Sequence, residues 1–176
     1  QLANLDKTDL SEEDYFEVIR KKTAVLFETC ARAGALLSGG GEEDIRQLGS
    51  FGLQVGLCFQ MRDDLFDYDN RLDTGKPSGN DMREGKLTLP VIYALNTAGN
   101  DHFTELAHKV KHGSVTADEI VELVNFAKEN GGIDYAEHTM RKLHAQAMKF
   151  IDEEVEQEDI RTALTAYLDY VIERQY

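Results

Sequence analysis

Proline is scarce, with only Pro77 and Pro90 in 176 residues, so almost nothing obliges a helix to stop. Cysteine is as rare. Cys30 and Cys58 stand in apolar surroundings with no CxxC pair and no histidine spacing suited to zinc, which excludes a disulfide scaffold and a zinc knuckle. Both are expected as reduced core thiols, which places the chain in the cytoplasm. No apolar run approaches the eighteen residues of a membrane span, and mean hydropathy is −0.44, the profile of a soluble globular chain with no transmembrane segment. Cations are few: nineteen Lys and Arg against thirty-three Asp and Glu give a net charge of −14, so nucleic acid is not an expected partner. There is no charged-then-apolar leader, and the first methionine is Met61, so the chain is expected to start mid-protein.

What is present has a helical period. Residues 1–176 suffice for one compact domain, and the segments between glycines predict an all-α class. Ser11 before Glu12, Glu13 and Asp14 reads as an N-cap with an acidic first turn; Phe16, Ile19, Thr23, Leu26, Phe27 and Cys30 then recur at helical spacing to about Leu37. After Gly39-Gly40-Gly41 a second helix is expected from Glu42 to near Asp69. Residues 70–84 mix glycine, proline and charge and form the longest irregular stretch. Helices are predicted over Thr88–Thr97, Asp101–Lys111, Thr116–Asn130, Ile133–Glu154 and Ile160–Arg174. Gly49, Gly52 and Gly56 share one helix face, which predicts close approach of a neighbouring helix. His108 and His112, four apart without an acidic or cysteine companion, read as a solvated face, as does the acidic run Asp152–Glu154 with Glu158 and Asp159.

The stretch Phe59-Gln60-Met61-Arg62-Asp63-Asp64-Leu65-Phe66-Asp67 carries the chemistry. Asp63 and Asp67 are four apart and Asp64 and Asp67 three apart, so the three carboxylates can converge beside one helix. They repel one another and oppose the helix dipole, each like-charge pair by roughly 0.2–0.5 kcal/mol. Convergent acidic oxygens suit a hard cation such as Mg²⁺, which completes its shell with water and phosphate oxygens. A solvated acidic face is the alternative. An EF-hand fails on spacing, with Leu72 at the turn glycine and Ser78 at the bidentate glutamate.

Phe59-Gln60-x-x-Asp63-Asp64-x-x-Asp67 resembles the second aspartate-rich motif of the trans-prenyl diphosphate synthases, the farnesyl, geranylgeranyl and longer-chain polyprenyl enzymes. Gly75-Lys76-Pro77-x-Gly79-x-Asp81-x-x-x-Gly85-Lys86-x-Thr88-Leu89-Pro90 is similar to the segment that follows it in that family, and Lys22-Thr23 to an upstream Lys-Thr pair. The resemblance implies the C-terminal half of an isoprenoid synthase-type antiparallel helical array, with the motif at 59–67 and its following loop at 70–90. It implies a prenyltransferase of isoprenoid biosynthesis that condenses an allylic diphosphate with isopentenyl diphosphate, homodimeric in its full-length form. By the resemblance Asp63, Asp64 and Asp67 hold Mg²⁺. Lys22 and Lys76 contact the allylic diphosphate, and Lys86 joins the phosphate shell. Thr23 and Gln60 lie near the reacting carbons, and Phe59 packs on the isopentenyl group. Lys22, Thr23, Gln60 and Lys76 form the implied catalytic set.

Each residue also has a plainer role open to it: solvated lysines, a Phe59 that fills the core, a Thr23 bonded to its own helix carbonyl. The first aspartate-rich motif and its arginine pair are absent, so a missing N-terminal half is expected as partner and the chain alone as inactive. The alternative is a noncatalytic regulatory or interaction subunit on the same fold.

Overall fold

The computed structural model describes residues 11–68 and 79–174. Among the described residues it is all-α, without strands. The helices are α1 (Glu12–Ile19), α2 (Val25–Leu37), α3 (Glu42–Phe66), α4 (Asn80–Arg83), α5 (Leu89–Ala98), α6 (Asp101–Lys111), α7 (Ala117–Glu129), α8 (Gly132–Glu154) and α9 (Glu158–Glu173). A π-helical segment, Arg20–Ala24, joins α1 to α2. No described helix is long and apolar enough to cross a membrane. The expected starts hold chemically: the Ser11 hydroxyl accepts from Asp14 N at 3.0 Å, and Gly39 ends α2 in the left-handed region at φ 82°.

The chain divides into two compact units. In the first, residues 11–15, 63–68 and 79–137 build a core around α7, which packs against α4, α5 and α6. Leu89, Leu106, Ile120 and Leu123 are its fully buried centre, and the Phe103 and Phe126 rings stack at 3.9 Å. Pro90 near the start of α5 costs no helix bond there. The Tyr135 hydroxyl donates to the Glu12 carboxylate at 2.8 Å while its ring stacks on Tyr93 at 4.0 Å, tying the first turn of α1 into this unit.

In the second unit, residues 16–62 and 138–174, the predicted glycine face is the contact surface. A Cβ on Gly52 would lie 2.7 Å from the Phe27 carbonyl oxygen, and one on Gly56 2.6 Å from Ala24 Cα. Both are closer than real Cβ atoms come, so α3 meets the π segment and α2 nearly backbone to backbone. Val55, Cys58, Met140, Ile151 and Leu168 fill the rest. Burial drives the Cys58 thiol up to about 12, which keeps it protonated.

Three expectations need correction. The second helix ends at Phe66 rather than near Asp69, leaving Asp67 in a turn that closes through Tyr68 N to Leu65 O at 3.1 Å. The stretch expected to be irregular contains α4, and its residues 70–78 lie outside the described residues. Cys30 is exposed, not a core thiol. The cause is the π segment: buried Ile19 is followed by buried Ala24, five residues on, and then by Phe27, Ala31 and Ala35 facing inward. One extra residue in the turn rotates every later side chain, so an uninterrupted 3.6-residue period misplaces Leu26 and Cys30, both exposed.

Candidate functional site

The last turn of α3 carries Asp63 and Asp64, and no basic residue there offsets the dipole. Asp63 is half-buried and Asp64 only 5% exposed. Burying a carboxylate requires a donor, and Tyr15 of α1, itself buried, supplies one: its hydroxyl donates to Asp64 Oδ2 at 2.8 Å. Burial, and then the Asp64 charge, raise the Tyr15 phenol well above its ordinary value, so it remains a donor.

Asp67 is held differently. Its two oxygens accept from successive backbone amides, Asn80 N to Oδ1 at 2.8 Å and Asp81 N to Oδ2 at 3.0 Å, while its carbonyl accepts from Gly79 N at 3.0 Å. The chain therefore returns from residue 79 onto the end of α3. Gly79 has φ 76°, and a Cβ there would collide with Ile120 Cγ2, so the return needs glycine twice over. Burial raises the Asp67 pKa, and the two amides only partly offset it.

Lys86 pairs with Glu84 and reaches Asp81 Oδ1 at 3.5 Å; the Glu84 bond and the neighbouring acids raise its pKa against the effect of burial. The Tyr68 and Thr88 hydroxyls bond at 2.7 Å, both buried.

Among the described residues no group of three or more His, Cys, Asp or Glu side chains is arranged to hold a metal ion by itself. That excludes a closed protein cage there, but not a magnesium site, because Mg²⁺ is usually held through one or two carboxylates, waters and substrate phosphates. The donors here are oxygens only, and hydrogen bonds set the planes of the Asp64 and Asp67 carboxylates. This set fits a hard cation.

In the second unit Lys22 and Thr23 lie within the π segment, a feature common at functional positions. The Thr23 hydroxyl donates to Gln60 Oε1 at 2.6 Å rather than to its own helix, and Gln60 is buried. The half-buried Phe59 ring lies 5.5 Å from Phe27 and beneath the Arg174 guanidinium at 4.0 Å. Arg174 also donates to the Phe59 carbonyl at 3.0 Å and accepts from Arg62 Nε through its own carbonyl at 3.0 Å. Lys22 is exposed.

Asp63, Asp64, Asp67 and Lys86 thus fall in the first unit, and Lys22, Thr23, Phe59 and Gln60 in the second. Lys76 lies outside the described residues. Tyr15, the amides of Asn80 and Asp81, and Arg174 are supporting groups that no spacing pattern announces.

A family model described as "Polyprenyl synthetase" matches residues 1–127. The chain belongs to the polyprenyl synthetase family. Within that family it is 35% identical to a short chain isoprenyl diphosphate synthase of Methanothermobacter thermautotrophicus, over 97% of this chain and 52% of the relative. It is 31% identical to an octaprenyl diphosphate synthase of Haemophilus influenzae, over 100% of this chain and 53% of the relative. Among solved structures, a geranylgeranyl pyrophosphate synthase from Bacteroides thetaiotaomicron is 48% identical with TM-score 0.93, matching 99% of this chain and 57% of its own. A polyprenyl synthase from Caulobacter crescentus, complexed with calcium and isoprenyl diphosphate, is 29% identical with TM-score 0.86 over 100% of this chain and 54% of its own. The chain spans about half the length of the curated relatives it matches.

Proposed function

We propose that this chain is the C-terminal half of a trans-prenyl diphosphate synthase, a transferase that condenses an allylic diphosphate with isopentenyl diphosphate. The observation that carries the reading is the motif at 59–67. It is intact, its Asp64 and Asp67 are held by donors from other elements, and it belongs to a chain of the polyprenyl synthetase family. Retention of Asp63, Asp64, Asp67, Lys22, Lys76 and Lys86 together favours catalysis over a noncatalytic subunit, which would be free to lose them.

In the reaction the allylic C–O bond breaks, pyrophosphate leaves with the electron pair, and the isopentenyl double bond attacks the resulting cation. Loss of a proton then gives a product five carbons longer. Magnesium, when bound, supplies Lewis-acid stabilisation of the departing pyrophosphate. Asp63, Asp64 and Asp67 are the residues that hold it, and Lys22, Lys76 and Lys86 place ammonium groups on the diphosphates. Thr23 and Gln60, locked to each other, present neutral oxygens that stabilise a cation without capturing it. Phe59, pinned by Arg174, packs on the isopentenyl group.

The missing half supplies the first aspartate-rich motif, so the chain alone does not turn over. The full-length protein is a cytoplasmic homodimer, and the two cysteines, exposed Cys30 and buried Cys58, both stand as free thiols, which is in keeping with a reducing compartment. The test is Asp63→Ala in the full-length protein against Asp152→Ala, an exposed carboxylate of α8. Asp63→Ala is expected to lower kcat by on the order of 10²–10³, the size typical of losing one group that stabilises developing charge. Asp152→Ala should leave it unchanged. Equal effects at the two positions would reject the metal role, and condensation by the isolated chain would reject the need for the other half.

A further inference from the structure

We infer that Tyr15 is a positioning residue for the metal site: its hydroxyl fixes the carboxylate of Asp64 in the orientation from which it takes a divalent cation. This rests on the metal role proposed for Asp63, Asp64 and Asp67, and adds a residue outside the motif. Asp64 lies in the last turn of α3 and Tyr15 in α1, forty-nine residues away, yet both are buried and joined at 2.8 Å. The phenol donates to Oδ2, and that bond sets the rotation of the carboxylate plane.

A buried carboxylate whose plane is free to rotate must be ordered when the cation arrives; one already held by a donor needs no rearrangement. Outer partners of ligating groups of this kind are typically worth about 10–100-fold in metal affinity.

The experiment measures Mn²⁺ binding to this chain in the presence of inorganic pyrophosphate, by electron paramagnetic resonance of the free ion, with Mn²⁺ standing for Mg²⁺ because both favour oxygen ligands in octahedral geometry. The variants are Tyr15→Phe, Asp64→Asn, the double variant, and Tyr68→Phe. Tyr68→Phe is the matched control, since it also deletes a buried hydroxyl of the same unit, but one bonded to Thr88.

Tyr15→Phe is expected to weaken Mn²⁺ binding about 10–100-fold, Tyr68→Phe to leave it unchanged, and the two to lower Tm alike. In the Asp64→Asn background Tyr15→Phe should add nothing. Equal Mn²⁺ affinity in wild type and Tyr15→Phe, with Asp64→Asn impaired, overturns the inference about Tyr15 alone. An unimpaired Asp64→Asn overturns the metal role itself. If Tyr15→Phe does not fold, Tyr15→Gln, whose amide is a neutral donor, takes its place: Mn²⁺ affinity kept along with folding supports positioning by a donor at this place, and folding without Mn²⁺ affinity overturns it.

Discussion

Thr23 and Gln60, thirty-seven positions apart, share one hydrogen bond of 2.6 Å, with the hydroxyl donating to a buried amide oxygen. The bond requires the π segment, because the extra residue in that turn decides where Thr23 lies relative to Ala24 and the face packed on α3. Thr23→Val keeps the shape and deletes the donor, leaving the Gln60 carbonyl buried without it. The expected loss of stability is about 0.5–1.5 kcal/mol by urea unfolding. Thr23→Ser, which keeps the hydroxyl, should retain most of the stability. Equal losses in the two variants would mean that packing of the methyl group, not the bond, is what matters.

The glycine face of α3 gives a prediction of opposite signs. Gly56→Ala places a methyl 2.6 Å from Ala24 Cα and 3.0 Å from its Cβ, and neither atom lies at the end of a flexible side chain. Although alanine gains about 1 kcal/mol of helix propensity, overpacking should leave a net loss of about 1–3 kcal/mol. Gly34→Ala in α2 meets nothing within 4 Å and should stabilise by roughly 0.4–1 kcal/mol. Thermal unfolding of the two variants checks both signs, and a stable Gly56→Ala would show that α3 and the π segment separate at little cost.

Much of this was legible in the sequence. The helix starts at Ser11 and Thr116, the breaks at Gly39 and Gly131, and the glycine face all follow from local chemistry that acts within a turn or two. The three carboxylates were legible for the same reason, being close in sequence. The π segment was not, because Arg20–Ala24 contains neither proline nor glycine and its signature is the five-residue step from Ile19 to Ala24, visible only once burial is known. The partners of the carboxylates were not legible either. Tyr15 reaches Asp64 across forty-nine residues, and Asp67 is held by main-chain amides, which carry no residue identity at all.

Glu119 gives a pH prediction. It closes a capping box on α7, accepting from Thr116 N at 2.8 Å while Thr116 Oγ1 accepts from Glu119 N at 3.3 Å, and it pairs with Lys109 of α6 at 2.7 Å. The Lys109 bond, then the Thr116 amide, lower its pKa from 4.5 to about 2. A carboxylate depressed in the folded state binds its proton more readily when unfolded, so its contribution is complete above pH 4.5 and is lost as pH falls through about 2. The urea midpoint of wild type should exceed that of Glu119→Gln at neutral pH, and the difference should vanish across that window. A difference that persists at the acid end would assign the stabilisation to the side chain's shape instead of its charge.

Asp67 belongs to the motif and also anchors the start of α4, and mutation should separate the two roles. Asp67 satisfies two amides at the start of α4, so Asp67→Ala removes both acceptors and should cost stability in the manner of a lost cap, about 0.5–2 kcal/mol. The loss is held down because ionised Asp67 already suffers from burial, which raises its pKa. The sign follows: the folded chain holds that proton to higher pH than the unfolded chain, so ionising Asp67 lowers stability as pH rises between the two values. Asp67→Asn should abolish that slope while keeping one acceptor. Asp63→Ala is the companion variant, because Asp63 belongs to the same motif. In Mn²⁺ binding with pyrophosphate, both variants should be impaired. Urea unfolding at several pH values, run beside the Mn²⁺ titration, distinguishes the outcomes. If Asp67→Ala unfolds like wild type, the amides find other acceptors and Asp67 does not anchor α4; if it binds Mn²⁺ like wild type, it anchors α4 and nothing more.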